Sequence, residues 1–292
     1  MKNLLLSLTL LVPSIVFSQD DLLKLLGEDK PKKEYVDYAF KSSRVIMSHS
    51  MEIIKPGVMD MRILHRFGNI NQGGYEFFGL DQATMRLGFD FGITKNFMFG
   101  FGRSTNKKEF DGFLKYRIIH QAKGPVALPF SVVAVAGGTM NTLKWQDPAR
   151  KNYFSSKLAY YGQLIVGSKI SESFTLQVSP TILHRNLVAT SNDPGDLLAI
   201  GAGTRLRLSR RVSLNLDYYY RVNPNPNDGT KNPFSVGFDI ETGGHVFQLH
   251  FTNAIGMNER VFLTETTNDW AKGDIQFGFN ISRSFQLKKK KS

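Results

Sequence analysis

The chain has no cysteine, which excludes a disulfide framework, thiolate catalysis and a cysteine metal site. Long apolar runs are also missing. The longest, at residues 4–12, falls well short of the roughly 20 residues that cross a bilayer as a helix. No Gly-rich phosphate loop occurs: GAGTRL (201–206) lies inside an expected strand and no helix follows it. Histidines stand at 49, 65, 120, 184, 245 and 250, and only His245 and His250 approach ligand spacing. In a strand those two face opposite sides, so neither a metal nor any other cofactor is expected. Acidic residues (25) are outnumbered by basic ones (37), a net charge of +12. Such a balance can serve nucleic acid, but an exported chain meets none.

Export is the reading of the first eighteen residues, MKNLLLSLTLLVPSIVFS. A charged Lys2, an apolar stretch broken by Pro13 and the small residue Ser18 before Gln19 come in the order of a signal peptide. Removing it lowers the net charge to +11. Residues 20–26 (DDLLKLL) suit one or two helical turns, and the charged GEDKPKKE that follows reads as a linker. Residues 19–41 are therefore expected to form a periplasmic or lumenal segment, 42–287 a β-domain, and 288–292 a solvated basic tail.

From about Tyr35 the hydropathy period is two. Met85, Leu87, Phe89 and Phe91 share one strand face with Ala83; Thr84, Arg86, Gly88, Asp90 and Gly92 share the other. The alternation recurs around 174–182, 212–221 and 274–282. The strands run to about ten residues, longer than the usual five or six of soluble sheets. Short turns at ITKN (93–96), SES (171–173), SRR (209–211) and TGG (242–244) alternate with long polar connections at 68–80, 140–155, 186–195, 223–233 and 253–272. This asymmetry is that of an all-β, antiparallel transmembrane β-barrel with short periplasmic turns and longer external loops. Twelve strands are expected, from 58–67 to 273–285. A further β-like stretch at 44–54 is either periplasmic or lumenal, or it pairs with 35–40 to make fourteen.

In such a barrel the polar face lines the lumen. The candidates are Arg62, Arg86, Asp90, Lys115, Arg117, Arg205, Arg207, Asp217 and Arg221, with Arg66, Asp60, Asp239, Glu241 and Asp274 on the same face. They suit either a structural network of Arg–carboxylate pairs or a selectivity lining for small anionic solutes. Catalysis finds little support. In a strand His49 points away from Ser48 and Ser50, and His250, Thr252 and Asn253 lack an orienting third group. Asp147 and Asp193 lie in loops without an apparent partner. Trp145 and Trp270 fall in long loops, and Tyr160, Tyr161 and 218–220 near strand ends, as interfacial anchors do.

Two stretches, FKSSRVIMSHSMEI (40–53) and ETGGHVFQLHFTNAIGMNE (241–259), resemble a Bacteroidota family of outer-membrane β-barrel domains of unknown function. The DLLKLL start and the DIQFGFNISRSF end fit as well. The resemblance implies an outer-membrane barrel and carries over no catalytic or binding residue. Within it, ETGG (241–244) reads as a tight turn whose glycines allow positive φ. The long loop after residue 252 folds inward as a lid or outward as a partner surface, with Asn258, Glu259, Arg260 and Asp269 as its polar candidates. The expected role is a non-enzymatic outer-membrane barrel, either a narrow pore or a component of an envelope assembly, meeting membrane lipid, small anionic solutes or other envelope proteins. The alternatives are a lipid-modifying membrane enzyme and a soluble periplasmic β-sandwich.

Overall fold

The computed structural model describes residues 32–188 and 190–287. The expected signal peptide, the 20–26 helical turns and the 288–292 tail lie outside the described residues. Twelve antiparallel strands close into one barrel: β1 (Val58–Asn69), β2 (Ala83–Gly92), β3 (Phe97–Ser104), β4 (Phe110–Ile119), β5 (Ser131–Met140), β6 (Leu158–Lys169), β7 (Phe174–Arg185), β8 (Asp196–Arg207), β9 (Val212–Arg221), β10 (Phe234–Thr242), β11 (His245–Thr252) and β12 (Gln276–Gln286). Each strand pairs with its sequence neighbours. β12 returns to β1, with Gln286 opposite Val58 and Gln276 opposite Asn69. Closure leaves no wall strand with an unpaired edge, the condition for backbone to cross hydrocarbon.

The period-two pattern becomes an inside and an outside. On β2, Arg86, Gly88, Asp90 and Gly92 are buried, while Met85 and Leu87 are exposed. The outward belt continues through Leu114, Leu164, Val178, Ile200, Phe238 and Leu249. Exposed apolar side chains on every side of a folded wall require a nonaqueous solvent.

Turn chemistry sets one end of the barrel. Gly243 and Gly244 have φ values of 20° and 105° in the β10–β11 turn, where a Cβ would be strained. The β2–β3, β6–β7 and β8–β9 turns and the chain entry at Gly57 lie at this same short-turn end. Two connections break the rule: β3–β4 is short although it lies at the long-loop end, and β4–β5 is long although it lies at the short-turn end.

The fourteen-strand alternative does not hold. Glu34–Tyr35 pairs only with Ala122–Lys123, outside the wall. The β-like stretch at 44–54 adds no strand. It is a tight hairpin inside the lumen, with Val45 N–H donating to Ser48 O and Ser50 N–H to Ser43 O. The wall therefore starts at 58, with the first of the twelve expected strands, and residues 39–54 are its contents. Ala39, Phe40, Val45, Ile46, Met47 and Met51 are all buried there.

Lumen-facing glycines make room for large side chains within a narrow interior. A Cβ on Gly137 would stand 2.4 Å from Tyr161 Cζ, and one on Gly201 2.5 Å from Tyr219 Cζ. Tyr161 and Tyr219 therefore point inward. For both, this corrects the expected interfacial anchor.

The outward belt yields a direct test. Leu164→Arg, in the middle of β6, is expected to cost about 2–4 kcal/mol of unfolding free energy in lipid vesicles, read from urea titration. Tyr153→Arg, in the loop before β6, should be close to neutral. Equal effects at the two positions would contradict a lipid-facing belt.

Candidate functional site: the plugged lumen

The hairpin at 43–50 is held by its backbone as much as by its side chains. Asp217, inward on β9, accepts from the N–H groups of Ile46 (3.1 Å), Met47 (2.8 Å) and Ser48 (2.9 Å) through Oδ2, and from Ser48 Oγ (2.9 Å) through Oδ1. A turn exposes consecutive N–H groups that no ladder satisfies, and a carboxylate answers them with charge-assisted bonds. Gln248 on β11 and Asn280 on β12 donate to the Val45 and Ile46 carbonyls. Gln177 on β7 bonds both Met51 N–H and His49 O.

The cationic lining holds this plug from the other side. Arg62 donates to Ser43 Oγ at 3.1 Å, and Ser43 Oγ donates to Asp90 at 3.0 Å. Lys115 Nζ reaches Ser43 O at 3.1 Å, Arg117 reaches Met51 O at 3.4 Å, and Arg205 reaches Ala39 O at 3.1 Å. Lys41 pairs with Glu241 on β10. Hydrogen bonds or ion pairs thus join residues 39–51 to β1, β2, β4 and each of β6 to β12. Arg86 differs: it is clamped side-on by Asp111, with its Nε 2.7 Å from Oδ1.

Two of the lining candidates lie at the ends of the barrel, away from the plug. Arg207 stands at the short-turn rim, partly exposed and 4.0 Å from Glu172, rather than in the lumen. Its place at the last residue of β8 carries it past the wall. Arg221 is buried at the opposite end and donates to Asn232 and Thr230 of the β9–β10 loop. Of their companions on that face, Asp60 is buried beside Arg62 (3.5 Å), Asp239 accepts from Gln248, and Asp274 lies in the loop before β12, accepting from Asn71.

From the long-loop end the 253–275 connection folds inward. It carries helix α1 (Glu259–Thr264), capped by Asn258, whose Oδ1 accepts from Val261 N–H at 3.0 Å. Val261, Phe262 and Leu263 are buried, and Phe262 packs on Tyr219 with ring centroids 5.3 Å apart. Arg260 is tied side-on to Glu109 at 2.6 and 2.7 Å, and also pairs with Glu265. Burial opposes ionisation of Glu265, but Arg260 and Lys107 outweigh it and hold its carboxyl below the usual range. Asp269 accepts from Ala271 N–H and pairs with Lys231.

Plug and lid meet inside the barrel. Arg44 Nη1 lies 2.9 Å from Glu259 Oε1, with both side chains 1% exposed. His49 Nε2 lies 3.3 Å from the same oxygen and 3.2 Å from Tyr161 Oη, and its ring packs edge-on against Phe113 at 4.4 Å. Sequence reasoning missed this junction. Arg44 and Glu259 are 215 residues apart, and treating 44–54 as a strand set His49 aside. The only signal was that each stretch carrying the resemblance contains one of the two.

The suspected catalytic sets do not assemble. Ser48 bonds Asp217, His49 faces Glu259, and Ser50 Oγ donates to Ser42 O. Thr252 bonds Ser235 rather than His250. Asp147 and Asp193 do have partners, local ones: the amides of Ala149 and Thr190, and the Asn225 side chain. No group of His, Cys, Asp and Glu among the described residues could hold a metal. Trp270 Nε1 donates to Phe234 O, and Trp145 lies beneath Lys157 beside a surface hollow of about 340 Å³.

A family model described as a membrane bound beta barrel domain matches residues 40–285. Two porins are among the solved structures similar to this chain. The NanC porin has a TM-score of 0.50 at 9% identity, covering 78% of this chain and all of that one. The KdgM porin has a TM-score of 0.47 at 8% identity, covering 78% of this chain and 99% of that one. No curated protein matches.

Breaking the junction on one side should be costly. Glu259→Gln leaves a buried guanidinium without its carboxylate and is expected to lower the opening free energy of the 46–48 amides by about 3–5 kcal/mol. The double variant Arg44→Met with Glu259→Leu should recover most of that loss, because no charge then remains to be paired. Hydrogen exchange in the folded barrel measures both. Unchanged protection in the single variant would remove the junction's role in seating the plug.

Proposed function

The chain belongs to the family of membrane-bound β-barrel domains, and on that premise we propose that it is an outer-membrane protein passing small hydrophilic solutes through a gated lumen, without catalysis. The observation that carries this reading is the way the lumen is filled. The plug is a hairpin seated by hydrogen bonds to inward polar side chains, each of which water could replace at a net cost of about 0.5–1.5 kcal/mol, and by burial of Phe40, Val45, Ile46, Met47 and Met51. Exposing those apolar side chains to water would add about 1.5–3 kcal/mol for each large one, so the closed lumen is the resting state. The wall can nevertheless stay intact while the plug moves, since closure of the sheet does not depend on residues 39–54.

Export by the leader at 1–18 belongs to the same reading, and so does the assignment of the long loops to the outer face. The separation of Ser48 from His49 supports the non-catalytic part. A lipid-modifying enzyme needs its nucleophile and base together and within reach of the membrane edge, and here both are spent on seating the plug.

Absence of native cysteine makes a clean test available. A Cβ on Gly203 would stand 2.9 Å from Val45 Cγ2, close enough for a disulfide between plug and wall. Full-length Val45→Cys/Gly203→Cys protein in a planar bilayer is expected to be silent when oxidised and to show discrete conductance steps when reduced. Wild type should show the same steps with and without reductant. A folded protein that is silent in every state would overturn passage and leave a role in an envelope assembly.

A further inference from the structure

Most arginines inside this barrel face carboxylates; Arg66, Arg205 and Arg221 meet neutral groups instead, and of these three only Arg66 has buried nitrogens without a partner among the described residues. Arg44 faces Glu259, Arg62 faces Asp60, Arg86 faces Asp111 and Arg260 faces Glu109. Arg66, inward on β1 and fully buried, meets only neutral acceptors: its Nη1 donates to Asn280 Oδ1 and to His65 O, each at 3.0 Å. Its Nε and Nη2 have no acceptor among the described residues. These two atoms form the side-on edge of a guanidinium, the edge that Arg86 presents to Asp111 and Arg260 to Glu109.

The surroundings of that edge are built from groups of matching chemistry. His250, inward on β11 and 1% exposed, also has both ring nitrogens without a partner. Gly278 on β12 lies between the two: a Cβ there would stand 2.5 Å from His250 Nε2 and 2.9 Å from Arg66 Cδ. The glycine thus leaves room for both side chains, which meet over this one point of the wall. Thr84 lies opposite Arg66 in the β1–β2 register, and its buried hydroxyl is likewise unpartnered. A buried cation with no counter-charge is expensive, whereas a bidentate oxyanion would satisfy both its charge and its geometry.

We propose that Arg66, with His250 and Thr84, forms a lumenal site for a small oxyanion of the phosphate or carboxylate class. The site deepens the passage reading by naming a ligand class, and its test does not require conduction. The experiment is thermal unfolding of the full folded barrel in detergent, titrating inorganic phosphate or acetate against chloride at constant ionic strength. A ligand that binds only the folded state raises the melting temperature with concentration. Wild type should show that rise with one or both probes. Arg66→Gln should lose it, and His250→Gln should weaken apparent affinity by roughly tenfold, the value of one charge-assisted bond.

A wild-type melting temperature indifferent to both probes overturns the site, as does an equal rise in Arg66→Gln. Should Arg66→Gln fail to fold, Arg66→Lys decides: it keeps the charge and loses the fork, so unchanged oxyanion dependence overturns the proposal. A barrel that binds the probe yet carries no current keeps the site and discards passage. A conducting barrel indifferent to the probes does the reverse.

Discussion

Closure of the sheet is the constraint on which everything else rests. In hydrocarbon a strand edge has no water to satisfy it, so β12 must return to β1, and the register from Val58–Gln286 to Asn69–Gln276 does this. Once the wall is closed, alternation acquires a fixed meaning: one face of every strand meets lipid, and the other is confined with its opposite numbers in a narrow interior. The inward glycines follow from that confinement, since Arg86, Tyr161 and Tyr219 need the space that a Cβ on Gly102, Gly137 or Gly201 would take.

The interior is no open channel: an apolar cluster that includes Val45, Ile46, Met47, Ile165 and Phe262 fills it together with a polar network. A hairpin enters from the short-turn end and a short helix from the long-loop end, and they meet at Arg44 and Glu259. The hairpin's unpaired amides and carbonyls must be answered by the wall, which explains why Asp217, Gln248, Asn280 and Lys115 occupy inward positions. A lining that looks selected for solute charge is, over much of its extent, a receptor for the protein's own backbone. The wall closes without residues 39–54, so the filling is separable from it.

Legibility differed by the range of the interaction. The twelve strands could be read from local alternation and turn residues, and the TGG turn was correctly placed at residues whose φ is positive. The inward face of Arg62, Arg86, Asp90, Lys115, Arg117, Arg205, Asp217 and Arg221 followed from parity alone. Arg207 escaped because parity carries no information about where a strand leaves the wall. Tyr161 and Tyr219 escaped because nearness to a strand end suggested interfacial anchors, whereas pairing with Gly137 and Gly201 across the β5–β6 and β8–β9 ladders set them over gaps in the lumen.

By itself, then, the amino-acid sequence determined the wall: period two, strand length, turn chemistry and an even count are local properties, and hydrocarbon leaves one way to satisfy them. The contents were decided only by the tertiary structure. Residues 44–54 have the same alternation as a wall strand, so their place inside depends on Asp217, Gln177 and Asn280, more than a hundred residues away. Likewise the 215-residue separation of Arg44 from Glu259 hides their pairing, because a buried ion pair leaves no periodic trace in the chain. Which groups a closed lumen brings face to face is set by the curvature and register of the whole barrel, quantities that no local pattern encodes.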